Sequence, residues 1–352
     1  MPDSLAPGPL FVVSMWRAGS SLLYALLNKH PKVQLMYESD LFLLRPLFMK
    51  PGGNPNWAER WEFWNTSISR HDIDLAAIPP GTTTLRAVFE AVYQQVAVRK
   101  SAVVWGDKTP NYYDQLNRLA TEFPQARFIV VWRNPADSVN SMMRARAAGS
   151  SYFRKRGVAL RALIGYRVFK QQCDRLIARG VPVCQVNYED LVTDTRGVMK
   201  QVCEFLQISY YDELATLEGA DRSATHPGKH HSLLQADKIV AGPRSDSLDP
   251  EFRRKVHQYA SLWRRIYRNT WPHYPKAEED LDPPGLLQRL MDQVRYQFFR
   301  MFDVFTAYTF CFAPIWLLRR YRQEKNERLA GPVVYPVESS QQQRESPNRT
   351  GL

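Results

Sequence analysis

The chain has 352 residues and 44% of them are hydrophobic, enough to bury a sizeable core and too many for a disordered or fibrous sequence. Lys and Arg number 47 against 35 Asp and Glu, a formal charge of +12. That excess favours anionic partners without choosing among nucleotides, nucleic acid, acidic glycans and a membrane surface. The four cysteines, Cys173, Cys184, Cys203 and Cys311, show no Cys-x-x-Cys pair and no zinc-ligand spacing. They read as reduced, buried thiols.

The residues ahead of Leu10 are proline-rich, with Asp3 their one charged side chain, and carry no secretory signal pattern. A cytoplasmic setting is therefore expected, at most peripheral on the inner face of a membrane. "LFVVSM" (10–15) is an apolar run of the buried-strand type, and "SSLLYALLNKH" (20–30) has helical spacing ended by Pro31. "VQLMYE" (33–38) reads as a strand ending in a carboxylate, and residues 41–80 as aromatic and irregular. Helical periodicity over 84–100 precedes a strand running into a polar turn, "AVVWGDKTP" (102–110). A helix over 111–123, a strand over 126–135 and a helix from Asp137 follow. A long helix over 157–179, a strand over 182–190 ending in Tyr188-Glu189 and a helix over 195–206 complete the pattern.

Strands alternating with helices imply right-handed crossovers and a parallel sheet covered on both faces. Ligands in such sheets bind beyond the carboxyl ends of the strands. Arg17 to Ser21, Glu38, Gly106 to Thr109, Arg133 to Ser141 and Tyr188-Glu189 all fall at those ends.

"PKAEEDLDPPG" (275–285) reads as a linker to an aromatic-rich helical stretch. Its uncharged part, Val304 to Leu318, is shorter than the roughly 20 apolar residues of a spanning helix, with Arg300 and Asp303 before it and Arg319, Arg320 and Arg322 after. Residues 286–322 are compatible first with a helix lying on a membrane surface, next with a core or homodimer helix, and least with a spanning one. The division expected is 1–275 for the catalytic domain, 276–329 for a helical extension and 330–352 for a disordered tail.

The segment Arg17-Ala18-Gly19-Ser20-Ser21, followed by Leu22, joins the first strand to the first helix. The first turn of a helix presents N–H groups without intrahelical acceptors and a partly positive dipole end. Gly19 allows close approach, Ser20 and Ser21 can cap the helix or donate hydroxyl bonds, and Arg17 adds a full charge. Together they form a cradle for a phosphate, although an ordinary serine cap beside an incidental arginine explains the segment equally well by itself. It is not a Walker A loop, which needs a second glycine and a lysine.

The segment resembles the 5′-phosphosulfate loop of the sulfotransferases, roughly Lys/Arg-Ser-Gly-Thr-Thr, with Ala18 in place of the first serine. "FIVVWRNPADSVNS" resembles the same family's 3′-phosphate motif, which implies that Arg133 and Ser141 hold that phosphate. "YEDL" at 188–191 is a third match. The mobile loop that closes over the nucleotide corresponds to "ADKIVAGPRSDSL" (236–248), making Lys238, Arg244 and Ser245 candidate contacts alongside Tyr188. A solvated basic loop accounts for those three equally well, and the histidines of "THPGKHH" read the same way.

The resemblance covers about residues 9–270. It implies a P-loop NTPase-like α/β fold with a C-terminal helical extension. It also implies the donor 3′-phosphoadenosine-5′-phosphosulfate (PAPS), released as adenosine 3′,5′-bisphosphate (PAP), with no metal and no nucleic-acid partner. Glu38 lies 21 residues after Arg17 and beyond a His30-Pro31 turn, as does the general base of the tyrosylprotein branch. Arg17 and Lys108, in "GDKTP", are then the cations of the transition state. The acceptor is expected to be a hydroxyl of a glycan or lipid. Protein tyrosine is the alternative, and a P-loop kinase or hydrolase is a further alternative class.

Overall fold

The computed structural model describes residues 8–49, 53–65, 67–79, 81–147, 153, 157–221, 223, 225, 239, 250–266 and 281–321. Five strands, β1 (Leu10–Ser14), β2 (Val33–Tyr37), β3 (Val104–Lys108), β4 (Arg127–Trp132) and β5 (Val183–Asn187), form one sheet in the order β2-β3-β1-β4-β5. Every pairing is parallel. β1 lies at the centre, flanked by β3 and β4, so the connection leaving β1 meets the C-terminal ends of both neighbours. That is the crevice where the chain changes direction across the sheet.

Side chains alternate across β1. Leu10 and Val12 enter one core, and Phe11 and Val13 the other. The first core is closed by α1 (Ser20–Leu27) and later by α8 (Tyr188–Thr193) and α9 (Thr195–Leu206). On the opposite face, α4 (Leu85–Val98), α5 (Leu116–Glu122), α6 (Pro135–Ala147) and α7 (Val158–Ala178) cover the second. Phe11 there meets Phe89, Tyr112, Phe123 and Phe128 with ring centroids 5.5–6.3 Å apart. Truncating one such ring to alanine removes about 3–5 kcal/mol. Gly106 permits the tight β3–β1 contact: at φ 153° a Cβ would fall 1.9 Å from the Leu10 carbonyl oxygen.

The expected elements are present, with four local differences. Residues 41–80 are not irregular throughout, because a 3₁₀ helix spans Leu41–Phe48, α2 Trp57–Trp64 and α3 Ser67–Arg70. The helix expected over 111–123 begins as a 3₁₀ turn, Pro110–Tyr112, and becomes α-helical only in α5. Tyr188 and Glu189 open α8 rather than ending a strand. Ser20 and Ser21 do not cap α1: Gly19 is the N-cap, at φ 97° and without a side-chain bond, because the serine hydroxyls are drawn elsewhere.

Two more helices, α10 (Pro250–Ile266) and α11 (Leu286–Phe312), pack on α6 and α7 and belong to the same compact unit as the sheet, which runs to Phe312. The Trp263 indole donates to the Leu163 carbonyl at 3.1 Å. The inner side of α11 is fastened by polar contacts. Asp292 accepts from Lys255 and Tyr259, Arg300 meets Asp114 at 3.1 Å, and Asp303 pairs with Arg161. Residues from Ala313 onward form a separate unit containing a helix over Ile315–Tyr321. Among the described residues no single helix is long and apolar enough to cross a membrane.

Candidate active site

Beyond Ser14 the chain turns through Arg17, at φ 65°, and Gly19 into α1. The Ser14 hydroxyl donates to Ser20 Oγ at 2.9 Å, tying strand end to helix start. A Cβ on Gly19 would sit 2.3 Å from the Tyr188 ring, so glycine is needed both for its backbone angle and for that packing. Ala18 and Leu22 are buried, and they could meet a ligand only through backbone groups.

The residues expected at the 3′-phosphate adjoin this turn. Arg133 leaves the end of β4, is 6% exposed and stacks over the Tyr188 ring at 4.2 Å. One of its terminal nitrogens donates to the Arg17 carbonyl at 2.9 Å. Its Nε is buried with no hydrogen-bond partner among the described residues. A buried guanidinium N–H without an acceptor costs free energy, and a phosphate oxygen would satisfy it. Asn134 receives its structural support separately: its N–H donates to Glu189 and its side chain accepts from Ala136. Ser141, two turns into α6, accepts from Arg17 Nε at 3.1 Å, leaving its own proton to donate. Burial lowers the pKa of Arg17, and the charge of Arg133 lowers it further. The two neighbouring guanidinium groups therefore disfavour one another's charge, and an anion bound beside them would offset that.

On the other side of β1 stands the candidate base. Glu38 follows β2 in the left-handed region, φ 48°. Its N–H donates to the Lys108 carbonyl at 2.8 Å and its carbonyl accepts from Asn65 at 2.8 Å, so both peptide flanks are held. Lys108, at the end of β3, is wholly buried and its Nζ lies 2.7 Å from Glu38 Oε1. The same ammonium reaches Ser21 Oγ at 3.3 Å and sits 3.3 Å over the Tyr37 ring. Ser21 Oγ is shared in turn with the Tyr37 hydroxyl at 2.9 Å. Burial lowers the pKa of Lys108, while Glu38 acts in the opposite direction. Burial and then the Glu38 charge raise that of Tyr37, keeping the phenol neutral.

Several residues not singled out in the sequence hold this group in place. Ser39 donates its N–H and hydroxyl to Asp107, the latter at 2.5 Å, while Trp61 donates to the Ser39 carbonyl at 2.8 Å. Asp40 accepts from Asn65 and from Asn111, and Asn111 also accepts from the Trp16 indole at 2.9 Å. Removal from water pushes the Asp40 carboxyl up to about 7, against the Asn111 bond and with the Glu38 and Asp107 charges. His71 accepts from the Tyr37 N–H at 3.0 Å and burial brings its pKa down to about 4, so it is the neutral form that is built in. Short polar residues after a strand that ends in Glu are the signal that could have marked Ser39 and Asp40. Nothing local marks Asn65, His71 or Asn111.

The expected residues Arg17, Ser20, Ser21, Glu38, Lys108, Arg133, Ser141 and Tyr188 thus gather at the ends of β1 to β5. Lys238, Arg244, Ser245 and the histidines His226, His230 and His231 lie outside the described residues.

Residues 9–213 match the model of the sulfotransferase family, a stretch that includes every one of these gathered residues. The chain belongs to the sulfotransferase family. Protein-tyrosine sulfotransferase 1 of Danio rerio is 26% identical over 207 residues, 58% of this chain and 54% of that protein. The chain thus spans about half the length of that curated relative. Among solved structures, the sulfotransferase domain of the Curacin biosynthetic pathway shares 18% identity with a TM-score of 0.48, covering 83% of this chain and 99% of that one. The sulfotransferase domain of the Synechococcus PCC 7002 olefin synthase shares 20% with a TM-score of 0.47, covering 74% and 96%. The β1–α1 and β4–α6 turns, which carry the two motifs singled out in the sequence, are joined here by the Arg17–Ser141 and Arg133–Arg17 hydrogen bonds.

Proposed function

We propose that the chain transfers a sulfuryl group from PAPS to a hydroxyl of a glycan or lipid-linked acceptor, with Glu38 as general base. The observation that carries this reading is the Glu38–Lys108 pair, 2.7 Å apart, set across β1 from the socket of Arg17, Arg133 and Ser141. A carboxylate and an ammonium together meet the two needs of the reaction: a site for the acceptor proton and a cation beside developing negative charge.

The donor supplies an activated sulfur whose bond to the 5′-phosphate oxygen breaks as the acceptor oxygen bonds to it. Glu38 Oε receives the hydroxyl proton in that step. Lys108, fixed by Ser21 and the Tyr37 ring, faces the charge that accumulates on the sulfuryl and leaving oxygens. Arg17 neutralises the 5′ end through its guanidinium, and Arg133 with Ser141 grips the 3′-phosphate, so the nucleotide is positioned before chemistry. Residue types carry these roles without a metal.

A second acceptor reading, protein tyrosine, draws support from the similarity to the Danio rerio protein-tyrosine sulfotransferase and from the Arg17-to-Glu38 spacing. A nucleoside-triphosphate kinase or hydrolase is disfavoured because Ser20 and Ser21, with no lysine, open α1. Incubation with ³⁵S-labelled PAPS and crude cell glycans, lipids and tyrosine peptides tests the proposal. Label in the glycan or lipid fraction supports it, label confined to peptide tyrosine moves it to the second reading, and label in no fraction overturns it.

A further inference from the structure

The outer face of α11 carries most of the exposed large hydrophobic side chains among the described residues, and it takes no part in the site. Leu287, Met291, Val294, Phe298, Met301, Phe305, Tyr308 and Phe312 recur every three or four residues along it and are all exposed, Leu287 to 72% and Phe305 to 70%. Leu290, Phe302 and Val304 widen the strip on both sides. At 1.5 Å per residue it extends for about 38 Å, and ten or more half-exposed large side chains amount to roughly 1,000 Å², well above the largest apolar patch of an ordinary monomer. Arg295 is the one exposed charged side chain of the helix; Gln288, Gln297 and Thr309 are its exposed polar ones.

The charges on this helix are sorted by sign. Both of its acids face inward: Asp292 is 1% exposed and bound to Lys255 and Tyr259, and Asp303 is paired with Arg161. The neighbouring α10, joined to α11 through that Lys255–Asp292 contact, adds the exposed Arg254 and Arg265, the latter 3.9 Å from Asp282, and the half-buried Arg253 and Arg264. An apolar strip without acids beside a basic helix complements an anionic lipid surface, where acyl chains take the phenylalanines and headgroups the arginines. A second copy fits less well. A two-fold interface sets each patch against itself, which would bring the two basic helices toward one another, and the strip is broader than the two-position seam of a paired coil.

We infer that the outer face of α11 seats this protein in the interface of an anionic bilayer, lying in its plane. The bond between Tyr113 and Tyr296 hydroxyls, 3.4 Å, connects this helix to the segment that follows β3, and Trp16 packs on Tyr113 at 5.7 Å. The seated face therefore backs directly onto the walls of the crevice. The inference concerns binding alone and stands apart from the reaction proposed above.

Full-length protein is pelleted with vesicles of phosphatidylcholine alone, or of phosphatidylcholine with 30% phosphatidylglycerol, in parallel with sedimentation velocity without lipid. The triple variant Phe298→Gln/Phe302→Gln/Phe305→Gln changes exposed side chains only, and its thermal midpoint checks its fold. The wild type is expected to partition onto the anionic vesicles at least tenfold more strongly than onto the neutral ones, and the variant to lose about 100-fold or more of that affinity, three phenylalanines having left the acyl region. Equal binding by variant and wild type overturns the inference. So does failure to bind any vesicle, and so does a lipid-free dimer that the variant dissociates, which would make the occupant a second copy.

Discussion

Glu38→Gln separates the proposed chemistry from everything else the site does. The amide keeps the volume of the side chain and an oxygen that can still accept from Lys108, but it removes the negative charge 2.7 Å from a fully buried ammonium. Loss of a general base lowers turnover by about 10²–10⁴-fold, equivalent to roughly 3–5 kcal/mol of barrier at 1.36 kcal/mol per decade. Exchanging a charged hydrogen bond for a neutral one costs on the order of 1–2 kcal/mol of stability. The Lys108 pKa, already lowered by burial, loses its largest upward influence and falls further. A lysine lowered in the folded state binds fewer protons than in the unfolded chain, so the variant's stability should rise with pH from neutral toward 10. Single-turnover transfer of ³⁵S to acceptor, calorimetric titration of PAP and thermal midpoints between pH 6 and 10 measure the three quantities. PAP affinity should stay within about threefold, because Glu38 makes no direct contact with Arg133 or Ser141, which lie beyond β1, and Lys108 keeps its Ser21 contact. Single-turnover transfer within threefold of the wild type would refute the assignment of the base.

Arg133→Ala should weaken PAP by about 100-fold or more, two charge-assisted hydrogen bonds being worth roughly 1.5–3 kcal/mol each, and Arg133→Lys should recover only part because it lacks the planar fork. Adenosine 5′-phosphosulfate, which has no 3′-phosphate, should bind the wild type and Arg133→Ala alike; a parallel loss would place Arg133 elsewhere. Asp40, pushed up to about 7, binds more protons in the folded state than in the unfolded chain, so its contribution to stability is present at pH 4 and is lost as pH rises through 7. The loss is of order 4 kcal/mol at most, about three units at 1.36 kcal/mol each. Urea midpoints of Asp40→Asn should vary less between pH 4.5 and 8 than those of the wild type, and an unchanged profile would mean that another group carries the dependence.

Much of this was legible in the sequence because strands buried on both faces leave long apolar runs, and the residues that interrupt them mark the strand ends. Glu38, Lys108 and Arg133 each sit within one residue of such an end. What joins them was not legible, because the contacts are remote in sequence. Arg17 meets Ser141 across 124 positions, Trp16 meets Asn111 across 95 and Asn111 meets Asp40 across 71. Local rules also mislead where a tertiary partner competes. Ser20 and Ser21 have the composition of caps, yet Ser14 and Tyr37 claim their hydroxyls and a left-handed Gly19 starts the helix instead. The aromatic content and uncharged length of residues 286–322 left a membrane-surface helix and a core or homodimer helix both open. Which stripe turned inward depended on where Lys255, Tyr259 and Arg161 stood to receive its two aspartates.

The central claim is that two adjoining anion sockets hold the two ends of one bisphosphorylated adenosine. Calorimetric titration of PAP, adenosine 5′-monophosphate, adenosine 3′-monophosphate and ATP into the wild-type protein tests it directly. PAP should bind most tightly, with affinity falling at least tenfold when either phosphate is removed. Equal binding of a monophosphate, or tighter binding of ATP, would contradict the account.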